Sequence, residues 1–283
     1  MNELTIPAYA KLNLTLDIIR RRADGYHDLQ MVMQSVELHD DVKVRLIDGA
    51  DIVCRCGSLP GDGSNLAVKA ALAFFNELRV PFHALEIDIE KRIPVQAGMA
   101  GGSSDAAAVL RALRKLLKPD MLGEELERVG ARVGSDVPYC LRGGTALAEG
   151  RGERLTTLRP APPFHVVLCK PDFSISTPAL FSRVDLKGRW IAPDTRGMLD
   201  ALHRGDAAAV AGRVKNVFEA ALPPECMEVF VIKKRFHELR AEAAAMTGSG
   251  PTVFGLYRDG NVAKSAYEAL KRDYAETFLT YFV

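Results

Sequence analysis

Residues 93–110 have the sequence IPVQAGMAGGSSDAAAVL, and this segment constrains the architecture more than any other. Its glycines and serines lie directly before a run in which Leu110, Leu113 and Leu117 recur on one helical face. Glycine lets a ligand approach the backbone closely, and the first turn of a helix offers unpaired N–H groups and the positive end of the dipole. The segment therefore predicts a phosphate-binding loop that leads into a helix.

Other phosphate motifs do not match this loop. It has no Lys before the serine pair, so it is not a Walker A loop, and it does not match G-x-G-x-x-G. An alternative interpretation is that Ser103 only caps a helix after a flexible turn. Asp105 near the start of the helix complements its dipole, and Pro119 ends it.

A second glycine-rich turn, GSGPT at residues 248–252, lies before an apolar run in the other half of the chain. Taken alone, a left-handed helix cap followed by a turn explains it. Its interest comes from the pairing with the first loop, because two loops of small residues are what a polyphosphate site would need.

Alternation and helical spacing occur in both halves of the chain, which predicts an α+β protein. Leu12, Leu14, Leu16 and Ile18 share one face of a strand, whereas residues 178–184, 197–218 and 225–246 are predicted as helical. The proline-rich RPAPPF at 159–164 is the predicted boundary between domains 1–158 and 159–283, which we expect to meet at a cleft.

Composition excludes several classes of protein. The 283 residues include 37 Lys+Arg and 36 Asp+Glu for a net charge of +1, which argues against a nucleic-acid binder. No 18 apolar residues follow one another, and the N-terminus carries no secretory signal, so we expect a cytoplasmic protein that neither spans nor binds a membrane. Five scattered cysteines without a ligand spacing predict reduced thiols and no metal site in the protein.

Single polar residues, taken one by one, have ordinary structural explanations. Lys11 and Asn13 share one side of the first strand, where a Lys is usually solvated. Asp136 in GSDVPY is typical of a turn or cap residue, and GYHD at 25–28 is typical of a surface turn.

Longer motifs carry a family resemblance. The loop at 94–104 and TGSGPTVF at 247–254 resemble two signatures of the GHMP kinases, which include galactose, homoserine and mevalonate kinases. PAYAKLNLTLDIIRRRADGYHDLQMVMQSVEL at 7–38 and GSDVPYCLRGGTALAEGRGE at 134–153 are similar to one family within them, the 4-diphosphocytidyl-2-C-methyl-D-erythritol kinases. The family usually has Leu where this loop has Met99, an apolar replacement that leaves the role of the backbone intact.

The resemblance implies a two-domain GHMP kinase fold with an ATP and substrate cleft between the domains. It also implies ATP-dependent phosphorylation of the substrate's 2-hydroxyl, in the non-mevalonate route to isoprenoids. It implies that Lys11 and Asp136 are the catalytic pair, and that Mg²⁺ bridges the phosphates of ATP. It also implies that Asn65 lies near the adenosine, that Tyr26, His27 and Phe181 hold the cytosine, and that Asn13 lies near the substrate. The residues implied to cradle ATP are Pro94, Val95, Gln96, Ala97, Gly98, Met99, Ala100, Gly101, Gly102, Ser103 and Ser104.

Two alternatives remain open at this point. One is a different small-molecule GHMP kinase, of the mevalonate or homoserine type, which would have no nucleobase for the DGYH segment to hold. The other is a non-catalytic regulator that keeps the nucleotide pocket, against which the presence of both Lys11 and Asp136 argues. For the 4-diphosphocytidyl-2-C-methyl-D-erythritol kinase interpretation, the expected partners are ATP and a cytidine diphosphate-linked polyol, and the expected state is a monomer or homodimer.

Overall fold

The computed structural model describes residues 2–187 and 190–283. The chain divides into two compact units of three segments each. The first unit comprises Met1–Ala10, His39–Ile93 and Ala100–Gly143, and the second comprises Lys11–Leu38, Pro94–Met99 and Gly144–Val283. A boundary at residue 158 for the two family domains stays a prediction.

Within the described residues, the larger sheet has seven strands. They are β1 (Glu3–Arg21), β2 (His27–Ile47), β3 (Ile52–Arg55), β4 (Ala84–Glu90), β5 (Thr145–Gly150), β6 (Arg154–Thr157) and, later in the chain, β8 (Lys215–Asn216). Their order is β3–β4–β2–β1–β8, with β5 paired to β2 and β6 to β5. In the first unit Val44 lies opposite Ile87, and in the second Met31 lies opposite Ala148. The predicted strand over 12–18 is confirmed, and its apolar residues are buried.

The first unit contains four helices within the described residues. They are α1 (Leu66–Leu78), α2 (Gly101–Leu117), α3 (Gly123–Val133) and α4 (Val137–Arg142). α2 packs against the other three, and its buried Ala106, Ala107 and Ala108 are small enough to permit close approach. The helix predicted after the glycine-rich loop is confirmed.

The second unit contains a four-stranded antiparallel sheet in the order β11–β7–β10–β9, formed by β7 (His165–Lys170), β9 (Ala243–Met246), β10 (Val253–Tyr257) and β11 (Glu276–Tyr281). Its helices are α5 (Thr177–Lys187), α6 (Thr195–Arg204), α7 (Ala207–Ala211), α8 (Glu228–Glu238) and α9 (Gly260–Lys271), with 3₁₀ turns at Val217–Ala221 and Pro224–Cys226. Among all helices in residues 2–187 and 190–283, none combines the length and apolar character that crossing a membrane requires.

Two helical predictions in the second unit are wrong in extent. The segment 225–246 is a helix only as far as Glu238, because Arg240 adopts a left-handed conformation (φ 67°) and residues 243–246 form β9 against β10. The segment 197–218 breaks at Gly205 (φ 67°) and includes the strand β8. Pairing of residues 243–246 with β10 and of Lys215–Asn216 with β1 outweighs local helix propensity, while Gly205 ends α6 as a left-handed C-cap.

Candidate functional site

The phosphate loop, residues 94–100, has an unusual backbone. Gln96 (φ 54°), Gly98 (φ 73°) and Ala100 (φ 59°) adopt left-handed conformations at every second position, directly before helix α2 begins at Gly101. Alternation of backbone handedness turns successive N–H groups toward one side, which forms an anion-binding concavity. The helix start adds its unpaired N–H groups. The local geometry is therefore that of a phosphate cradle.

The two serines occupy different environments. The N-cap of α2 is Ala100 and, within the described chain, no side chain caps it, so the interpretation of Ser103 as a simple cap is wrong. Ser103 lies in the first turn instead. The hydroxyl of Ser104 is buried and donates to the carbonyl oxygen of Tyr9, so this residue ties α2 to strand β1.

Gly98 and Gly248 lie against each other within the second unit. A Cβ on Gly98 would lie 2.2 Å from the carbonyl oxygen of Thr247, and a Cβ on Gly248 would lie 2.6 Å from the carbonyl oxygen of Gly98. Both residues also have positive φ, 73° and 55°. The two glycine-rich loops predicted from the sequence therefore meet, and only glycine fits at either point of contact.

Lys11 and Asn13 lie beside these loops. The ammonium of Lys11, a residue only 4% exposed, donates to Asn13 Oδ1 at 2.7 Å and to the carbonyl oxygen of Gly98 at 2.9 Å. Asn13 Oδ1 also accepts from the backbone N–H of Gly248 at 3.0 Å. The prediction that the two side chains share one side of the strand is confirmed, whereas the expectation of a solvated Lys is wrong.

Asn216, which no pattern in the sequence singled out, holds the second glycine-rich loop in place. Its buried Nδ2 donates to the carbonyl oxygens of Met246 and Gly248 at 2.7 and 2.8 Å, and its Oδ1 accepts from the backbone N–H of Phe218 at 3.0 Å. Asn216 lies in a segment without motif residues, so the sequence carried no signal for it.

Asp136 directly precedes the short helix α4 in the first unit. Within the part of the chain that the structure describes, its side chain makes no hydrogen bond to the first turn of α4, although its backbone carbonyl accepts from the N–H of Cys140 at 3.0 Å. The residue is half-buried. A capping role therefore does not account for its carboxylate.

The residues implied to hold cytosine all lie in the second unit. His27 is buried, stacks on Phe181 with 4.7 Å between ring centroids, and shares a 2.7 Å hydrogen bond between Nε2 and the Asp185 carboxylate. Tyr26 is 54% exposed and carries the guanidinium of Arg151 over its ring at 3.8 Å. The structure thus brings His27 and Phe181 together, and places Tyr26 at the surface beside Arg151.

Asn65 is the N-cap of α1. Its Oδ1 accepts from the N–H of Ala67 at 2.9 Å, and its Nδ2 donates to the carbonyl oxygen of Pro60 at 2.8 Å. Its visible role is to begin the helix.

Buried charges lie beneath the start of α2. Asp105, predicted only to complement the helix dipole, accepts from Lys91 Nζ at 2.7 Å and is 3% exposed. Burial raises the pKa of Asp105 to about 7, although the ammonium of Lys91 opposes that change. For Lys91, burial opposes the charged form, but the carboxylates of Asp105 and Asp40 outweigh it and raise the pKa.

Two family models match the chain, the GHMP kinases N terminal domain over residues 65–144 and the GHMP kinases C terminal over residues 198–276. A curated relative from Clostridium tetani (strain Massachusetts / E88), 4-diphosphocytidyl-2-C-methyl-D-erythritol kinase, is 41% identical over 98% of this chain and 99% of its own length. The chain belongs to the 4-diphosphocytidyl-2-C-methyl-D-erythritol kinase family. Its protein is thus a kinase, and the sequence-based family assignment is confirmed.

Solved structures agree with membership in the 4-diphosphocytidyl-2-C-methyl-D-erythritol kinase family. A crystal structure of 4-(cytidine 5'-diphospho)-2C-methyl-D-erythritol kinase has a TM-score of 0.85 at 31% identity and covers 99% of each chain. A homoserine kinase from Cytophaga hutchinsonii ATCC 33406 has a TM-score of 0.77 at 19% identity and covers 100% of this chain and 95% of its own. The second likeness shows the fold alone. The α+β GHMP kinase fold is confirmed, and this family is favoured over the mevalonate and homoserine types.

Proposed function

We propose that the protein transfers the γ-phosphoryl group of ATP to the 2-hydroxyl of 4-diphosphocytidyl-2-C-methyl-D-erythritol, a step of the non-mevalonate route to isoprenoids. The observation that carries this proposal is the ammonium of Lys11, buried 2.9 Å from the carbonyl oxygen of Gly98 in the phosphate loop of a chain from this family. A cation in that place offsets negative charge where phosphoryl transfer takes place.

The phosphate cradle would bind ATP through the backbone. The alternating left-handed residues of 94–100 and the first turn of α2 fit phosphate oxygens, and the contact between Gly98 and Gly248 excludes side chains from that part of the loop. Mg²⁺, when bound, would neutralise charge on the phosphates.

Asp136 would accept the proton of the 2-hydroxyl. A carboxylate that does not cap its helix is available for this role, and loss of the proton makes the oxygen a better nucleophile. Lys11 would offset charge on the reacting oxygens.

The cytidyl end of the substrate would be held in the second unit. Tyr26 supplies an exposed ring for base stacking, and Phe181 and His27 lie stacked beside Asp185, with the imidazole able to bond to a base edge. Asn13 would lie near the substrate and Asn65 near the adenosine of ATP. These roles come from the family resemblance, and the contacts above are compatible with them.

We propose further that the enzyme acts in the cytoplasm on small molecules, as a monomer or homodimer. The net charge of +1 supports small-molecule partners over nucleic acid.

The test is ADP release from ATP with each of three alcohols, 4-diphosphocytidyl-2-C-methyl-D-erythritol, mevalonate and homoserine. We expect turnover with the cytidyl alcohol alone, and a phosphomonoester product by phosphorus NMR. Preferred turnover of mevalonate or homoserine would assign the substrate to another type. ATP binding without turnover of any alcohol would favour the non-catalytic regulator.

A further inference from the structure

A buried cluster of three charges lies at the start of α2, in the first unit. It consists of Asp40 on β2, Lys91 just after β4 and Asp105 on α2. Asp40 is fully buried and Asp105 is 3% exposed, so both carboxylates are removed from water. Buried carboxylates are costly unless they are paired, so a cluster of this kind invites a functional explanation.

The cluster holds the segment that enters the loop. Asp40 Oδ1 accepts from the backbone N–H groups of Arg92 and Ile93 at 2.5 and 2.8 Å, and its Oδ2 pairs with the ammonium of Lys91. Residues 91–93 are therefore fixed just before Pro94, where the loop begins.

The same ammonium holds the segment that leaves the loop. Lys91 Nζ donates to Asp105 Oδ2 at 2.7 Å, and a Cβ placed on Gly101 would lie 3.4 Å from that Nζ. Asp105 follows Gly101 by one helical turn, so Lys91 lies directly against the first turn of α2. Lys91 therefore pairs with the carboxylate that holds the segment entering the loop, and it contacts the helix that leaves the loop.

One atom of the cluster is left unsatisfied. Asp105 Oδ1 is buried and, within residues 2–187 and 190–283, has no hydrogen-bond partner. Native proteins seldom leave such an atom unpaired, because it costs free energy that a neutral apolar side chain would avoid. The structure retains this cost at the helix that begins the phosphate cradle.

We propose that Lys91, clamped by Asp40 and Asp105, is a positioning residue that sets the separation of the two ends of the phosphate loop and thereby tunes its affinity for ATP. The inference depends on the proposed function, since it assumes that ATP binds this loop. Backbone N–H groups bind phosphate only when they are correctly oriented, so a loop with fixed ends loses less conformational entropy on binding.

The experiment measures ATP binding by calorimetry in the presence of Mg²⁺, together with thermal unfolding, for Asp105→Ala and Asp105→Asn in the full chain. Asn retains an oxygen that can accept from Lys91, whereas Ala removes it. We expect the dissociation constant for ATP to rise about tenfold or more in Asp105→Ala and to stay within about threefold in Asp105→Asn, given the sensitivity of binding to small displacements. The KM for the cytidyl alcohol should be unchanged in both.

The matched control is Arg111→Met. Arg111 is a cation of α2, donates to the carbonyl oxygen of Pro7 at 2.9 Å, and touches neither end of the loop in the contacts described. Its loss should lower the melting temperature without changing ATP affinity. A purely structural role for Lys91 and Asp105 would give the same pattern in Asp105→Ala as in Arg111→Met.

Two results would overturn this inference and leave the proposed function intact. One is normal ATP affinity in Asp105→Ala when the unmodified protein binds ATP, and the other is an equal loss of affinity in Arg111→Met. Absence of ATP binding by the unmodified protein would instead overturn the proposed function, and this inference with it. Lys91→Met completes the set, and the Asp105 pair decides the question if that variant does not fold.

Discussion

The ammonium of Lys11 lies 2.9 Å from the carbonyl oxygen of Gly98. Lys11 lies near the middle of strand β1, while Gly98 lies 87 residues later in the phosphate loop. The contact gives Lys11 a structural task in addition to its proposed catalytic one, because its charge-assisted hydrogen bonds fix a loop carbonyl and Asn13.

Lys11→Met should therefore lower the free energy of unfolding as well as kcat. The variant leaves the Asn13 and Gly98 oxygens with fewer donors in a buried place, and a buried polar group without a partner costs about 1–3 kcal/mol. Urea unfolding measures the effect. An unchanged free energy of unfolding would show that the contact contributes nothing in solution.

Asp136→Asn is the cleaner test of catalysis, because the described contacts of Asp136 include no side-chain cap bond that the substitution could break. We expect kcat to fall by about 10²–10⁴, the typical cost of losing a general base, with both substrates still bound. Steady-state kinetics and a melting curve decide the matter. A fall of less than tenfold at full occupancy would reduce Asp136 to an orienting role.

Tyr26→Ala should weaken binding of the cytidyl alcohol and leave ATP unaffected. Stacking of a base on an aromatic ring is worth about 1–3 kcal/mol, so its loss raises KM by roughly 5- to 150-fold. The ring is 54% exposed, so the fold should survive. Tyr26→Phe retains the stacking face and is the control. If the KM for ATP rises instead, the two binding sites have been assigned the wrong way round.

Asn216→Ala should destabilise the second glycine-rich loop. The change leaves the carbonyl oxygens of Met246 and Gly248 without their donor, at a cost of about 1–3 kcal/mol for each buried group. Both the free energy of unfolding and ATP affinity should fall. Asn261→Ala, at an exposed position of α9, should change neither. Equal behaviour of the two variants would contradict the role of Asn216.

Asp105 should make stability depend on pH. Its pKa is raised from the ordinary 3.8 to about 7. The unfolded chain then loses this proton at lower pH than the folded one, so the stability it contributes is full below about pH 4 and is lost as the pH rises to about 7. The charged and titratable groups around it are Lys91, Asp40 and the thiols of Cys54 and Cys56.

The measurement for Asp105 is the difference in free energy of unfolding between the native protein and Asp105→Asn, taken from pH 4 to pH 8. Other carboxylates cancel in that difference. Relative to Asp105→Asn, the free energy of unfolding of the native protein should fall between about pH 4 and 7. Above that range the difference should stay constant, as linkage requires. A difference that does not vary with pH would contradict the raised pKa.

The local structure of the phosphate loop and of helix α2 was predictable from the sequence. The glycines of residues 98–102 and the apolar spacing of α2 are contained in one short segment, so the loop and its helix could be predicted without knowledge of the fold. The meeting of Gly98 with Gly248 was suggested by the presence of two loops of small residues, although a helix cap and a turn explained the second loop taken alone.

Contacts between distant residues were not predictable. Ala243–Met246 lacks β-branched residues, and it is a strand because it pairs with β10. Asn216 acts on carbonyl groups 30 and 32 residues away, and Lys91 pairs with Asp40 across 51 residues. Neither relationship leaves a pattern in sequence spacing.

The interleaving of segments between the two units sets an order of events during synthesis. Every segment of the first unit has been translated once Gly143 leaves the ribosome, whereas the second unit still needs residues 144–283. The apolar part of β1 with Leu12 and Leu14 is among the first parts translated, yet it packs in a unit whose remaining residues, 144–283, are translated last. Since Lys11 and Gly98 reach their final contacts only when Gly248 has emerged, the nascent chain assembles its phosphate loop late in translation.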